Sequence, residues 1–305
     1  MGMLKTQKIR FGLCCLFLEE DIKFKTTTFK YFSKLDAQEK LEKLDMLILH
    51  NINSLLKAIE FCGENHIYSF RITSTLLPLY THPECKYSIE DLPSSARIFS
   101  LFEKCRKKAQ KNNVRLGFHP DQFVVLNSPR EDVVEKSIKD LLYHAFLAEL
   151  LGADVINIHG GGMYGDKLEA LKRLRKTISK LPSKITSRLT LENDDKCYTP
   201  SDLLPVCEEF SIPLVYDVHH HRCLKDNLTE EEASEKAYET WNREPLFHIS
   251  SPKEGWEDSK RSRHHDYIDL EDFPSFWKAM LPLTVEVEAK AKERAVIQLC
   301  NEIYP

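Results

Sequence analysis

The chain has no apolar run approaching the roughly 18 to 20 residues that span a bilayer, which excludes a helical membrane protein and any expected membrane partner. It has no CxxC pair. Its nine cysteines, Cys14, Cys15, Cys62, Cys85, Cys105, Cys197, Cys207, Cys223 and Cys300, are odd in number and scattered. That distribution fits small buried thiols in a reducing compartment better than a disulfide framework. Behind residues 1–10, which run straight into FGLCCLFL, there is no small-residue cleavage signal, so no secretion signal is read and the cytoplasm is the expected address. Nor is there a surplus of charge of one sign: 43 basic against 47 acidic residues leave a formal charge of −4. A polyanion must therefore be held by a local basic patch or by metal ions, since nothing attracts it globally.

What is there is a soluble globular composition, 42% apolar and 30% charged, spread over 305 residues. That length lies near the ~250 residues typical of a (β/α)8 barrel. Strand and helix patterns alternate from end to end. A strand is expected over residues 9–17, then a helix over 38–63 in which Leu41, Leu44, Ile48, Ile52, Leu55 and Ile59 keep a 3.6-residue stripe ending at Gly63. A second strand at 66–72 and a proline-bearing loop lead to a helix over 95–111 with a basic outer face. Further helices are expected at 130–151 and 168–180, and residues 250–272 read as an enlarged loop after the seventh strand. Every strand-to-strand gap is long enough for a right-handed helical crossover, so the sheet is expected to be parallel. Eight units close a barrel. No domain boundary interrupts residues 1–305, and the expectation is one (β/α)8 barrel domain that works as a monomer.

Six of the strand-like runs end in His, Asp or Glu: VRLGFH at 114–119, DVINIH at 154–159, RLTLE at 188–192, IPLVYD at 212–217, PLFH at 245–248 and LTVEVE at 283–288. In a parallel barrel these ends meet at the C-terminal face, where barrel enzymes carry their chemistry. Taken singly, a histidine there is satisfied by hydrogen-bonding a neighbouring carbonyl. The set is different. His119, His159, Glu192, Asp217, His220, His248, His264 and Glu288 would converge on one face, and so many ionisable groups side by side without a cation would cost on the order of several kcal/mol. Imidazole mixed with carboxylate suits Zn, Mn or Fe(II), and the absence of cysteine from these ends argues against a structural zinc site. Eight candidate ligands at about four to six per ion require at least two metals, and three fit if a carboxylate bridges. Paired cations of this kind most often hydrolyse phosphate esters.

The strings His119-Pro120-Asp121-Gln122-Phe123, Asn157-Ile158-His159-Gly160-Gly161, Leu191-Glu192-Asn193-Asp194, Asp217-Val218-His219-His220, His248-Ile249-Ser250-Ser251-Pro252, His264-His265-Asp266-Tyr267 and Glu288-Ala289-Lys290 resemble, in order and over nearly the whole chain, those of the UV damage endonucleases. The resemblance implies a TIM barrel related to the apurinic-site endonucleases and xylose isomerases. It implies a manganese cluster, with Zn or another divalent metal as the alternative, that nicks duplex DNA 5′ to cyclobutane dimers and 6-4 photoproducts. Carried over residue by residue, Glu192 is the bridging carboxylate, and His119 and His159 hold one ion with it. Asp217, His248 and Glu288 complete a second site, and His220 and His264, with Asp266, a third.

The family probes the lesion from the loop after its third strand, which here carries Gln122 and Phe123, an amide for orphaned base edges and a ring for stacking. Where relatives place a tyrosine and an asparagine near the first strand's end, this chain has Leu13 and Phe17, so apolar wedging is retained and polar readout is lost. Leu246 stands where the family has a lysine associated with the metal site. Lys260, Arg261 and Arg263, just before His264, are expected to contact DNA phosphates. Glu192, Arg71, His82 and Lys290 are the candidate catalytic residues, Arg71 and Lys290 as phosphate contacts and His82 as a position near the family's active site. The expected reaction is in-line attack of a metal-activated water on the phosphodiester. Three rivals stand beside it: a sugar isomerase-like enzyme, a lesion-binding homologue with reduced catalysis, and an apurinic-site endonuclease.

Overall fold

The computed structural model describes residues 8–305; residues 1–7 of the expected domain lie outside it. Strand β1 (Arg10–Cys14) is followed by a short helix α1 (Phe29–Phe32) and the long α2 (Ala37–Glu64). Then come β2 (Ser69–Ile72), α3 (Ser95–Lys111), β3 (Arg115–Phe118), α4 (Glu131–Leu151) and β4 (Val155–His159). After α5 (Lys167–Ile178), α6 (Ser183–Thr186), β5 (Leu189–Glu192) and α7 (Pro200–Phe210), the chain forms β6 (Leu214–Asp217), α8 (Val218–Cys223), α9 (Glu230–Glu239), β7 (Leu246–Ile249), β8 (Thr284–Val287) and α10 (Glu293–Ile303). The eight strands pair in sequence order, all parallel, and β8 closes on β1. This is the expected (β/α)8 barrel. Among the described residues no helix is long and apolar enough to cross a membrane.

Local chemistry explains the boundaries. A capping box between Asp36 and Glu39 starts α2, whose stripe of Leu44, Ile48, Ile52, Leu55 and Ile59 is buried. Gly63 does not end this helix, contrary to the sequence expectation; it lies within it because a Cβ there would collide with Asn112. The glycine stop does operate on α4, whose C-cap Gly152 adopts φ 74°.

Alternation along each strand divides the core in two. Phe11, Leu13, Phe70, Phe118, Leu191, Tyr216, Phe247 and Val285 belong to the large apolar core. Val155, Val215 and Leu246 form a separate buried cluster. These three share strand faces with His159, Asp217 and His248, and so plug the barrel interior beneath the residues at its mouth. Leu246, the lysine position of the resemblance, is thus a packing residue of that plug.

Two first-strand expectations need correction. Leu13 is fully buried on the outer face of the barrel, so it has no surface to offer DNA. The strand also stops at Cys14 instead of running to Phe17, because Cys15 turns the backbone to φ 59°. Phe17 then folds back, its ring 5.9 Å from Phe70 and 5.4 Å from Phe61. The apolar side chains this turn presents to solvent are instead Leu16 and Leu18, more than half exposed.

Candidate metal centre

Glu192 ends β5 inside the barrel mouth with no solvent exposure. One carboxylate oxygen, Oε2, lies 2.9 Å from His119 Nε2; the other, Oε1, lies 3.1 Å from His248 Nδ1 and 3.4 Å from His220 Nδ1. The Asn157 amide also donates to Oε2 and is itself fixed by the Thr190 hydroxyl at 2.9 Å. Glu192 is therefore shared by two compact donor groups, His119 with His248 and His159 with His220, in each of which the ligand atoms lie within 4.8 Å of one another. The pairing differs from the one the resemblance implied, which put His119 with His159.

The remaining expected ligands surround these groups. Asp217 Oδ2 is 3.6 Å from His220 Nδ1, and the other carboxylate oxygen accepts the His220 backbone N–H at 2.7 Å, which sets the start of α8. Asn193 grips Asp217 from both sides through its amide. Glu288, just beyond β8, reaches His248 Nδ1 at 3.6 Å and His264 Nδ1 at 3.7 Å. Asp266 is exposed, and its backbone carbonyl rather than a shared cluster position ties it down by accepting the Ala291 N–H.

Two buried atoms test whether this cage fits cations. His159 Nδ1 and Asp217 Oδ2 have no hydrogen-bond partner, and buried polar atoms are rarely left so. An all-oxygen and imidazole-nitrogen set without cysteine matches Mn, Fe(II) or Zn. The electrostatics agree. Burial alone would raise the Glu192 carboxyl, yet the imidazoles of His248, His159 and His119 hold it well below the ordinary carboxylate range. Burial lowers His159, leaving a neutral imidazole with a free lone pair. His248, although buried, is driven up to about 10, chiefly by Glu192. Burial likewise opposes, and Asp217 and Glu192 outweigh it in, the upward shift of His220.

Arg71 is a correction. It is not available to a phosphate, because its guanidinium turns into the barrel and binds Glu286 Oε2 at 2.7 Å, Glu288 Oε1 at 2.6 Å and His248 Nε2 at 2.9 Å. His82 is another. It stacks on Phe29, with ring centroids 4.0 Å apart, and accepts the Glu84 backbone N–H at 3.2 Å, which makes it a loop residue. Lys290 is exposed beside Glu288. Lys260, Arg261 and Arg263 lie on the loop after β7, Arg261 donating to the Cys223 carbonyl at 3.3 Å and Arg263 standing 3.8 Å from Glu254. Phe123 is 77% exposed at the tip of the loop after β3, next to exposed Gln122, where an Asp121 turn holds its backbone at 3.0 Å. Sequence reasoning missed Asn157, Asn193 and Glu286. The first two differ from neighbouring ligands only in being amides, and Glu286 sits one strand period before Glu288.

The sequence profile described as UV-endonuclease UvdE matches residues 9–304. The UV DNA damage endonuclease of Bacillus cereus (strain B4264) is 35% identical over 293 residues, covering 92% of this chain and 89% of that protein. The crystal structure of SacUVDE superposes with a TM-score of 0.84 at 29% identity, covering 97% of this chain and 99% of that one. Endonuclease IV from Thermus thermophilus shares the fold, with a TM-score of 0.58 at 15% identity over 96% of this chain and 97% of its own.

Proposed function

The chain belongs to the UV-endonuclease UvdE family, and from that membership we propose that it nicks duplex DNA on the 5′ side of pyrimidine photoproducts, using two or three divalent ions, Mn2+ first among them. It is an endonuclease, a hydrolase, of UV-damaged DNA. The observation that carries the finer reading is the single buried carboxylate of Glu192 shared between two imidazole pairs at the C-terminal mouth of the barrel. Nine thiols without a pair support a reducing compartment, the cytoplasm.

The residues that would hold the ions are His119, His159, Glu192, Asp217, His220 and His248, with Glu288 and His264 at the rim. Bound there, divalent ions supply the charge that activates a water and stabilises the departing 3′ oxygen. Glu192 stays anionic at neutral pH and keeps both oxygens aimed at the two imidazole pairs. Asn157 holds the Glu192 carboxylate, Asn193 pins the Asp217 backbone and the His220 N–H holds one Asp217 carboxylate oxygen, so the donor atoms are set before DNA arrives. Lys260, Arg261, Arg263 and Lys290, exposed on the loops after β7 and β8, would meet the DNA backbone. Supercoiled plasmid, irradiated or intact, incubated with Mn2+ tests the reading: we expect relaxed circles from irradiated plasmid only, and none after chelation. Nicking of abasic plasmid in preference to irradiated plasmid would favour the apurinic-site alternative, and binding without nicking the non-catalytic one.

Phe123 carries the lesion-recognition part of the proposal, with Gln122 beside it. A ring this exposed contributes little to folding, so Phe123→Ala is expected to change stability by less than about 0.5 kcal/mol. Base stacking on an aromatic ring contributes about 1 to 3 kcal/mol, so affinity for irradiated duplex should fall roughly tenfold to a hundredfold. Affinity for intact duplex should hold. Gel-shift titration of both duplexes checks this, and an equal loss on both would remove Phe123 from lesion reading.

A further inference from the structure

We infer that Tyr164, on the loop after β4, is a second base-stacking residue of the lesion-binding face, taking an unpaired base that Phe123 leaves uncovered. The inference rests on the photoproduct reading above and goes beyond it to a residue that reading does not use. A photoproduct joins two adjacent pyrimidines, so pushing it out of the helix orphans two bases on the opposite strand. One ring covers one base. Among the described residues, most of the large apolar side chains left exposed lie on segments that leave the C-terminal ends of strands: Leu16 and Leu18 after β1, Phe123 after β3, and Met163 and Tyr164 after β4. Exposed apolar residues sharing one face mark a contact surface, where singly scattered ones would not.

The backbone holds Tyr164 against its own preference. Its φ is 50°, in the left-handed region that a residue with a Cβ enters only at a cost. Glycines stand at the other left-handed positions of the same loop, Gly161 at φ 89° and Gly165 at φ 85°. Glycine would suit position 164 equally well, yet the chain keeps a ring there and leaves 47% of the residue exposed. Burial does not account for it.

The surroundings fix that ring and tie it to the loop that carries Phe123. β3 and β4 are neighbours in the barrel, and Asn127, four residues after Phe123, donates from its amide to the carbonyls of Gly160 and Gly162, each at 2.9 Å. A Cβ on Gly161 would collide with the same amide, so glycine lets the two loops close on each other. Arg173 joins them again. Its Nε donates to the Asn127 carbonyl at 2.8 Å, while its guanidinium carbon lies 5.7 Å from the centre of the Tyr164 ring. A Cβ on Gly162 would stand 3.1 Å from two carbons of that ring, so glycine also lets the ring lie close to the backbone. The result is one interlocked platform with two exposed aromatic rings, set before a base arrives.

Tyr164 has a competing role as a strut between the two loops, and three variants separate the roles. Tyr164→Ala, Tyr164→Phe and Tyr164→Ala with Phe123→Ala are titrated by gel shift on irradiated and intact duplex, with thermal melting of each protein alongside. We expect Tyr164→Ala to lose about tenfold to a hundredfold in affinity for irradiated duplex and to keep the wild-type affinity for intact duplex and the wild-type melting temperature. Tyr164→Phe should bind as the wild type does, because the ring and not the hydroxyl stacks. In the double variant the two losses should multiply, since each ring serves its own base. Equal losses on both duplexes with a lowered melting temperature would make Tyr164 a strut, and a double variant no weaker than Phe123→Ala alone would leave it no base to serve. Either result overturns the inference, as does a Tyr164→Phe that fails like Tyr164→Ala. Wild-type protein without preference for irradiated duplex would overturn the photoproduct reading itself, an outcome distinct from these.

Discussion

Glu192→Gln is expected to cut nicking of irradiated plasmid by about a thousandfold or more and to empty the centre of metal, while the far-ultraviolet circular dichroism stays that of the wild type. The size follows from the geometry. Glu192 is the one residue common to both donor groups, so its loss weakens both sites together, and a divalent ion contributes several kcal/mol of transition-state stabilisation at about 1.36 kcal/mol per factor of ten. The fold is expected to survive because glutamine has the same shape and because His220 and His248, whose upward shifts Glu192 helps to cause, can lose their charge with it. Metal counting by mass spectrometry on the same sample distinguishes a lost cluster from a lost catalyst. Turnover that persists in the metal-stripped variant would show that the reaction does not depend on this carboxylate.

The barrel was legible because its determinants are local. Period-two apolar runs, a capping box at Asp36 and a 3.6-residue stripe need nothing from distant sequence, and α3 occupies the very span expected of it. The convergence of His119, His159, Glu192, Asp217, His220 and His248 was legible for a related reason: a parallel barrel puts every strand's C-terminal end at one face, so an ionisable residue at that end has few other places to go. Other features depend on contacts that no local pattern encodes. Leu13 and Phe17 were misplaced because a single left-handed residue, Cys15, ends the alternation and hands the solvent face to Leu16 and Leu18. Arg71 reads equally well as a phosphate ligand until the β8 end of the chain, 215 residues away at Glu286, delivers two carboxylates to it. The grouping of histidines around Glu192 likewise turns on side-chain directions, which spacing does not fix.

Arg71→Met is expected to destabilise the metal-free protein by about 3 to 5 kcal/mol at neutral pH, the loss expected when one member of a buried charge network is removed and its partners stay. Glu286 and Glu288 would be left facing each other's charge in the barrel interior, with His248 as their nearest remaining cation. The pH dependence identifies the cause. In the wild type, burial would raise the Glu286 carboxyl, but Arg71 first and His248 second pull it from its ordinary value of 4.5 down to about 2. A carboxyl lowered in this way stabilises the fold fully above about pH 4.5 and loses that contribution as pH falls toward 2. In Arg71→Met the dominant opposition to burial is gone, the carboxyl moves upward, and taking up a proton relieves the variant as pH falls. The gap between variant and wild type should therefore be widest near neutrality and narrow on acidification. Urea unfolding of both metal-free proteins at about pH 8 and about pH 4.5 measures it. A gap of the same size at both pH values would mean that methionine damages packing rather than charge, and Arg71 would lose its place as the residue that keeps the two carboxylates ionised beside the candidate metal centre.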